Sequence, residues 1–348
     1  MALGARHFMR SLILLLTLFL VAACESPAAR AKNAGQANEL LAQVETIALP
    51  GVEGRFDHFA ADLKSNRLFV AALGNGSVEV IDIATHKVTG RIAELPTPQG
   101  VAIAPDLNRL AVTNDKDGSC RLFDASTLKP VASIDLKDDA DNVRYDAAAR
   151  LFWVGYGSGG LAAIDPDKNQ QVADIKLDGH PESFQLERHG TRIFVNVPSA
   201  KQIAVIDRQA RKLLTTWPVA GASANFPMAL DENHHRLFIG CRKPARLLVL
   251  DTESGKPVAS ADIVEDTDDL FYDGTNGRIY VSGGGGAISI IAQDAPDTYK
   301  VLGNVPTAPG ARTCYFIPDT GRLYLAVPHR GTQQSEIRIF QAAGHFHR

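Results

Sequence analysis

The sequence predicts an all-β chain: a seven-bladed β-propeller, with the ring closed by an N-terminal strand completing the last blade. Three observations predict it: one strand motif recurs seven times, further strand signals sit at constant offsets around each copy, and the last repeat lacks a strand. The motif is an arginine followed by Leu or Ile and an apolar pair. It reads Arg67-Leu68-Phe69-Val70, Arg109-Leu110-Ala111-Val112, Arg150-Leu151-Phe152-Trp153 and Arg192-Ile193-Phe194-Val195. It continues as Arg236-Leu237-Phe238-Ile239, Arg278-Ile279-Tyr280-Val281 and Arg322-Leu323-Tyr324-Leu325. The arginines are 42, 41, 42, 44, 42 and 44 residues apart. That period suits a propeller blade of four strands.

The other elements follow from short apolar runs bounded by turn residues. Strand a, nearest the axis, precedes each motif and ends in an acidic residue. It is expected at residues 59–62, 101–106, 143–146, 184–187, 228–231, 270–273 and 314–319. The motif itself is strand b. After a Gly-rich or polar turn comes strand c, at 78–82, 121–124, 161–165, 203–207, 247–251, 288–291 and 337–340. A turn bearing Lys or Arg leads to strand d, as at 87–92 and 212–217. The seventh repeat stops at strand c. The alternating segment 43–49 is therefore expected to pair with 337–340, removing two exposed sheet edges. No long amphipathic helical pattern follows Glu39.

The first residues read as an export signal. Arg6, His7 and Arg10 precede an apolar run over residues 12–23, too short to span a bilayer. The run ends in Val21-Ala22-Ala23-Cys24, which resembles a bacterial lipobox. That resemblance implies a lipidated Cys24 as first mature residue, with Glu25 directing the protein to the outer membrane. Ordinary cleavage nearby, releasing a soluble periplasmic protein, is the alternative. The domain plan is then a signal peptide at 1–23, a flexible tether at 24–39 and one propeller domain at 40–348. A formal net charge of −3 implies neither nucleic acid nor an anionic membrane surface, so membrane contact is expected through the lipid alone. Cys120, Cys241 and Cys314 lack metal-ligand spacing and read as buried thiols, although an exported protein permits a disulfide.

The run Ala111-Val112-Thr113-Asn114 resembles the signature of bacterial YVTN-repeat propellers, with Leu68-Phe69-Val70-Ala71 and Tyr280-Val281-Ser282-Gly283 as looser versions. The likeness covers residues 57–340. It implies the propeller fold and an exported or surface-associated protein. Related propellers include lactonases, a streptogramin lyase and quinoprotein subunits, so enzymatic use of the scaffold is an analogy.

Chemistry is expected where equivalent positions stop repeating. The loops from d to a and from b to c share one face of a propeller. The residues just before each strand a form two rings there. One reads Asp57, Gln99, Asp141, Glu182, Phe226, Asp268 and Arg312; the next reads His58, Gly100, Asn142, Ser183, Pro227, Asp269 and Thr313. The converging carboxylates Asp57, Asp141, Glu182, Asp268 and Asp269 repel unless a cation compensates. Arg144, Arg312, His58 or a bound divalent ion such as Ca²⁺ are the candidates. The bland alternative is a network of mutually paired groups and channel water.

The expected function is a binding or protein-interaction scaffold at the cell envelope, acting as a monomer, with this funnel taking a small polar or cationic ligand. One alternative is a metal-assisted lactonase- or lyase-type enzyme using His58, Glu182 and Asp269. Another is an accessory subunit of a periplasmic redox system, which would carry no haem of its own because no C-x-x-C-H occurs. Cys241-Arg242-Lys243 in a b–c turn offers a thiol beside two cations, a setting that lowers a thiol pKa; an exposed, unreactive turn is the plainer reading. Gly155-Tyr156-Gly157-Ser158-Gly159-Gly160 matches G-x-G-x-x-G but leads into a strand, so no helix N-terminus awaits a phosphate.

Overall fold

The computed structural model describes residues 37–344. The signal segment, Cys24, most of the tether, and His345 and His347 lie outside the described residues. Seven four-stranded antiparallel sheets make up the described chain. Six are continuous in sequence. The seventh has the order Leu41–Ala48, Glu336–Ala342, Arg322–Val327, Cys314–Ile317. The N-terminal strand thus completes the last blade, as expected, with Gln43 opposite Phe340 and Ile47 opposite Ile337. Ahead of it, residues 37–40 form a helical turn, with Ala37 fully buried.

The burial pattern explains the sequence pattern. Strands b, such as Arg67–Ala72 and Arg192–Val197, are buried at every position after the arginine. Each lies in a sheet packed on both faces by neighbouring blades, so near-continuous apolar runs are required. Outer strands such as Lys87–Ile92 are largely exposed and mix polar with apolar residues. The cores lie between blades. Phe69, Val78 and Val80 of blade one pack with Leu110, Val112 and Phe123 of blade two. Ile47 and Leu49, from the closing segment, pack between Tyr324, Ile337 and Ile339 of blade seven and Leu68, Val70 and Ile81 of blade one.

The repeating polar residues do structural work. Asp82, Asp124, Asp165, Asp207 and Asp251 end strands c and accept backbone N–H bonds at 2.6–3.0 Å from residues three further on, fixing each c–d turn. The repeated arginines tie blades together. Arg67 reaches Ala125 O of blade two, and Arg192 donates to Thr252 O of blade five at 2.6 Å. Arg236 pairs with Asp297 of blade six at 2.7 Å. Arg278 donates to Ala343 O of blade seven at 2.8 Å, and Arg322 contacts His86 Nε2 of blade one at 3.0 Å. Between blades three and four the link comes from the other side. Arg150 turns back to Asp106 and Asp167, while Arg208 Nε pairs with Asp146 at 3.0 Å.

Arg208 and Asp146 side chains are only 9% and 4% exposed. Removing the cation alone leaves a buried, uncompensated carboxylate. Arg208→Ala is expected to cost about 3–5 kcal/mol, and joint replacement by Met and Leu to recover most of that. Urea unfolding of the two variants beside the unaltered protein measures both values.

Candidate functional site

The strands a of all seven blades surround an axial channel of about 460 Å³. His58, Arg144, Ser183, Asp269 and Cys314 line it, together with apolar and aromatic groups such as Phe59, Phe271 and Tyr315. The first ring of candidate residues stands next to these in sequence, at one mouth. The sequence reading put this ring in loops ahead of strand a. In four blades the strand begins earlier instead, at Pro98–Ala104, Ala140–Asp146, Ser223–Asp231 and Thr267–Asp273. Gln99, Asp141, Phe226 and Asp268 then fall inside register shifts of the a–b pairing. Bulges of this kind leave a residue out of the ladder and re-aim its side chain. The second-ring glycine has a packing reason: a Cβ on Gly100 would lie 2.3 Å from Asp141 O, so only glycine lets blades two and three approach there.

Two groupings divide the polar residues. In the first, on the blade one and six side, His58 Nε2 lies 3.5 Å from Asp57 and Nδ1 3.3 Å from Asp269. Asp269 also accepts the Cys314 N–H at 2.9 Å, and Arg55 stands 3.7 Å from Asp57. Asp268 is held by two guanidiniums, Arg312 at 2.9 Å and Arg242, the latter stacked 3.6 Å over the Phe226 ring. Both arginines also face Asp266.

The second grouping belongs to blades three and four. His180, two residues before Glu182, brings Nε2 to 3.5 Å from Asp141. Its Nδ1 bonds Gly157 O at 2.7 Å. Ligand-type atoms of Asp141, His180 and Glu182 all lie within 4.8 Å of one another. Asp139 approaches His180 at 3.7 Å and accepts the Gln99 amide at 2.9 Å. Asn142 donates to Asp141 at 3.3 Å and accepts from Arg144 at 3.2 Å. The Arg144 guanidinium stacks over Phe184 and otherwise meets only neutral oxygens, of Val143, Asn142 and Ser183.

Electrostatics follow burial. Desolvation, reinforced by Asp141 and Asp268, pushes Asp57 up to about 8, although His58 opposes it. Glu182 is likewise pushed up to about 8 by burial and by Asp141. Burial also raises Asp268 despite its two arginines. For His58, burial works against the charge, but Asp57 and Asp269 outweigh it and raise the ring to about 10. His180 is raised to about 9 by Asp141 against the same burial. Arg144 goes the other way, lowered by desolvation.

Of the compensating cations expected from sequence, His58 and Arg312 meet carboxylates, whereas Arg144 does not. Arg242 and His180 supply what was missing. The signal for His180 was present in the d–a loop, two positions outside the aligned rings. Cys241 corrects an expectation. It lies within the strand Arg236–Lys243, fully buried, and burial pushes its thiol up to about 12, while Arg242 turns away to Asp268. Cys120, Cys241 and Cys314 are free, buried thiols.

No family model matches the chain, and no curated protein matches it. Solved structures do. The chain is similar to Kuenenia stuttgartiensis hydrazine synthase, at 16% identity and TM-score 0.73, covering 85% of this chain and 99% of that one. A chain of a mitotic checkpoint complex matches at 13% identity and TM-score 0.74, covering 96% and 99%. The RRP9 WD40 repeats match at 10% identity and TM-score 0.75, covering 86% and 98%. These likenesses establish the propeller fold.

Asp57 and His58 keep protons in the folded state that the unfolded chain, with ordinary values of 3.8 and 6.5, releases earlier. Their contribution is full below those values and is lost as pH rises. Stability is therefore expected to fall from about pH 4 to 8 through Asp57 and from about 6.5 to 10 through His58. Asp57→Asn should flatten the lower part of the thermal-unfolding midpoint plotted against pH. An identical profile for both proteins would contradict the assignment.

Proposed function

We propose that this chain is a binding scaffold of the cell envelope, tethered through a lipidated Cys24, whose axial funnel takes a small polar ligand carrying positive charge. The observation that carries the reading is the acidic mouth. Asp57, Asp141 and Glu182 converge with no lysine, and Arg55 on Asp57 alone, in ion-pair range among the described residues. Their chain neighbours His58, Val143 and Ser183 line a channel large enough for a small molecule. Desolvated carboxylates that outnumber the cations beside them favour any ligand supplying further positive charge.

The channel also changes polarity with depth. Arg144, with neutral partners only, lines it beyond the acidic rim. A ligand with an ammonium at one end and a carboxylate at the other suits both. Binding is favoured over catalysis by His58. Both its ring nitrogens face carboxylates, which holds the ring as an imidazolium and leaves no lone pair to accept a proton. The coarser role, a propeller used as an interaction scaffold, agrees with the likeness to a chain of the mitotic checkpoint complex.

Calorimetry with a simple diamine, an ω-amino acid and a dicarboxylate tests the ligand class. Asp57→Asn is expected to weaken the two amine-bearing probes about tenfold, close to the loss of one charge-assisted hydrogen bond. Arg144→Gln should weaken the amino acid while sparing the diamine. Absence of amine binding, or preference for the dicarboxylate, would overturn the reading. For the tether, Cys24→Ser is expected to move the protein from the membrane to the soluble periplasmic fraction; retention in the membrane fraction would argue against lipidation.

A further inference from the structure

We infer that Asp141, His180 and Glu182 form a site for one divalent first-row transition-metal ion, of the Zn²⁺ or Mn²⁺ kind, at the mouth of the funnel. The inference uses the funnel reading only for its location and needs no organic ligand. Three features of the geometry point to it.

The first is the donor set and its span. One imidazole nitrogen and two carboxylate oxygens come together within 4.8 Å. Donors bound to one ion at roughly 2.0–2.2 Å stand roughly 3–4.4 Å apart, so a small adjustment suffices. Three protein ligands also leave coordination positions open. The presence of imidazole shifts preference away from Ca²⁺, which takes six to eight oxygen ligands, and toward Zn²⁺, Mn²⁺ or their neighbours.

The second is the orientation of His180. Its Nδ1 lies 2.7 Å from the Gly157 carbonyl, which can only accept, so this nitrogen carries the proton. Nε2 is left toward Asp141 Oδ2. A histidine donating one N–H to a backbone carbonyl while its other nitrogen faces the site has the arrangement that orients metal-bound imidazoles. Asp139, tied by Gln99, backs the same ring edge.

The third is the contrast with the rest of the ring. Asp268 has Arg242 and Arg312, and Asp57 has His58 and Arg55. Asp141 has no arginine or lysine in ion-pair range among the described residues, and the Glu182 side chain makes no hydrogen bond or ion pair there. The competing arrangement is a metal-free imidazolium between two carboxylates.

The purified full-length chain, treated with chelator, is titrated with Zn²⁺ and Ca²⁺ by calorimetry and with Co²⁺ by visible absorption. One equivalent of Zn²⁺ is expected, at least tenfold tighter than Ca²⁺. His180→Ala, Asp141→Asn and Glu182→Gln should each weaken it at least tenfold, while Asp262→Asn, on an exposed outer strand, should not. Zn²⁺ binding should also survive replacement of the tail residues His345 and His347. Where a ligand variant fails to fold, wild-type Co²⁺ absorption and an imidazole signal by paramagnetic NMR report coordination directly. No binding, equal affinity for Ca²⁺, or binding lost only with the tail histidines would overturn the site. Loss of metal binding with amine binding retained sinks this inference alone and leaves the funnel reading standing.

Discussion

Everything in this molecule depends on face-to-face packing of sheets that only a closed ring can complete. Strands such as Arg67–Ala72 and Arg322–Val327 are apolar on both faces. In an open array the outermost blades would present one of those faces and an unpaired edge to water. Pairing Leu41–Ala48 with Glu336–Ala342 removes both exposures in one step, because Ile47 and Leu49 also fill the seam between blades seven and one. The joint is noncovalent and brings together residues nearly 300 positions apart, so its formation carries a loop-closure cost that local contacts cannot offset.

The arginine at the head of each motif is the polar counterpart of that packing. In five blades it reaches the next blade and meets a backbone oxygen, an acidic group or, at His86, an imidazole nitrogen in the c–d turn region. Aromatic rings beneath Arg67 and Arg192 shield those contacts from water. Blades two and three depart from the pattern: Arg109 bonds its neighbour Asn108 O, Arg150 reaches back to Asp106 of blade two, and Arg208 from blade four occupies the seam with blade three. What repeats is therefore a requirement, a cation at each inter-blade seam on that face, more than a residue at a fixed place.

The funnel inverts this economy of paired groups. The turn aspartates repeat, accept local N–H bonds and are held below the usual carboxylate range, as at Asp82, Asp124 and Asp251. The funnel carboxylates differ from blade to blade, are desolvated, and at Asp57 and Glu182 are raised. Both sets are Asp and Glu on the same scaffold. Burial and partner decide whether a carboxylate is a turn cap or part of a site. The ring holds the second set together at a cost that folding of the apolar blades offsets.

From the sequence alone came the architecture, the missing strand and its partner, and the ring of positions at the mouth, because a period and an alternation survive in one dimension. Asp57, Asp141, Glu182 and Asp268 stood out there by failing to repeat. The sequence did not show which carboxylate meets which cation. His180 sat two residues outside the aligned ring, Arg242 looked like a solvated turn, and Arg144 looked like a partner for an acid it does not touch. Those pairings join side chains from different blades, and they depend on bulges of one or two residues in strand a and on an axis that exists only once seven sheets have closed. Periodicity determines a scaffold; distances across its axis, and hence charge balance and chemistry, are properties of the closed ring.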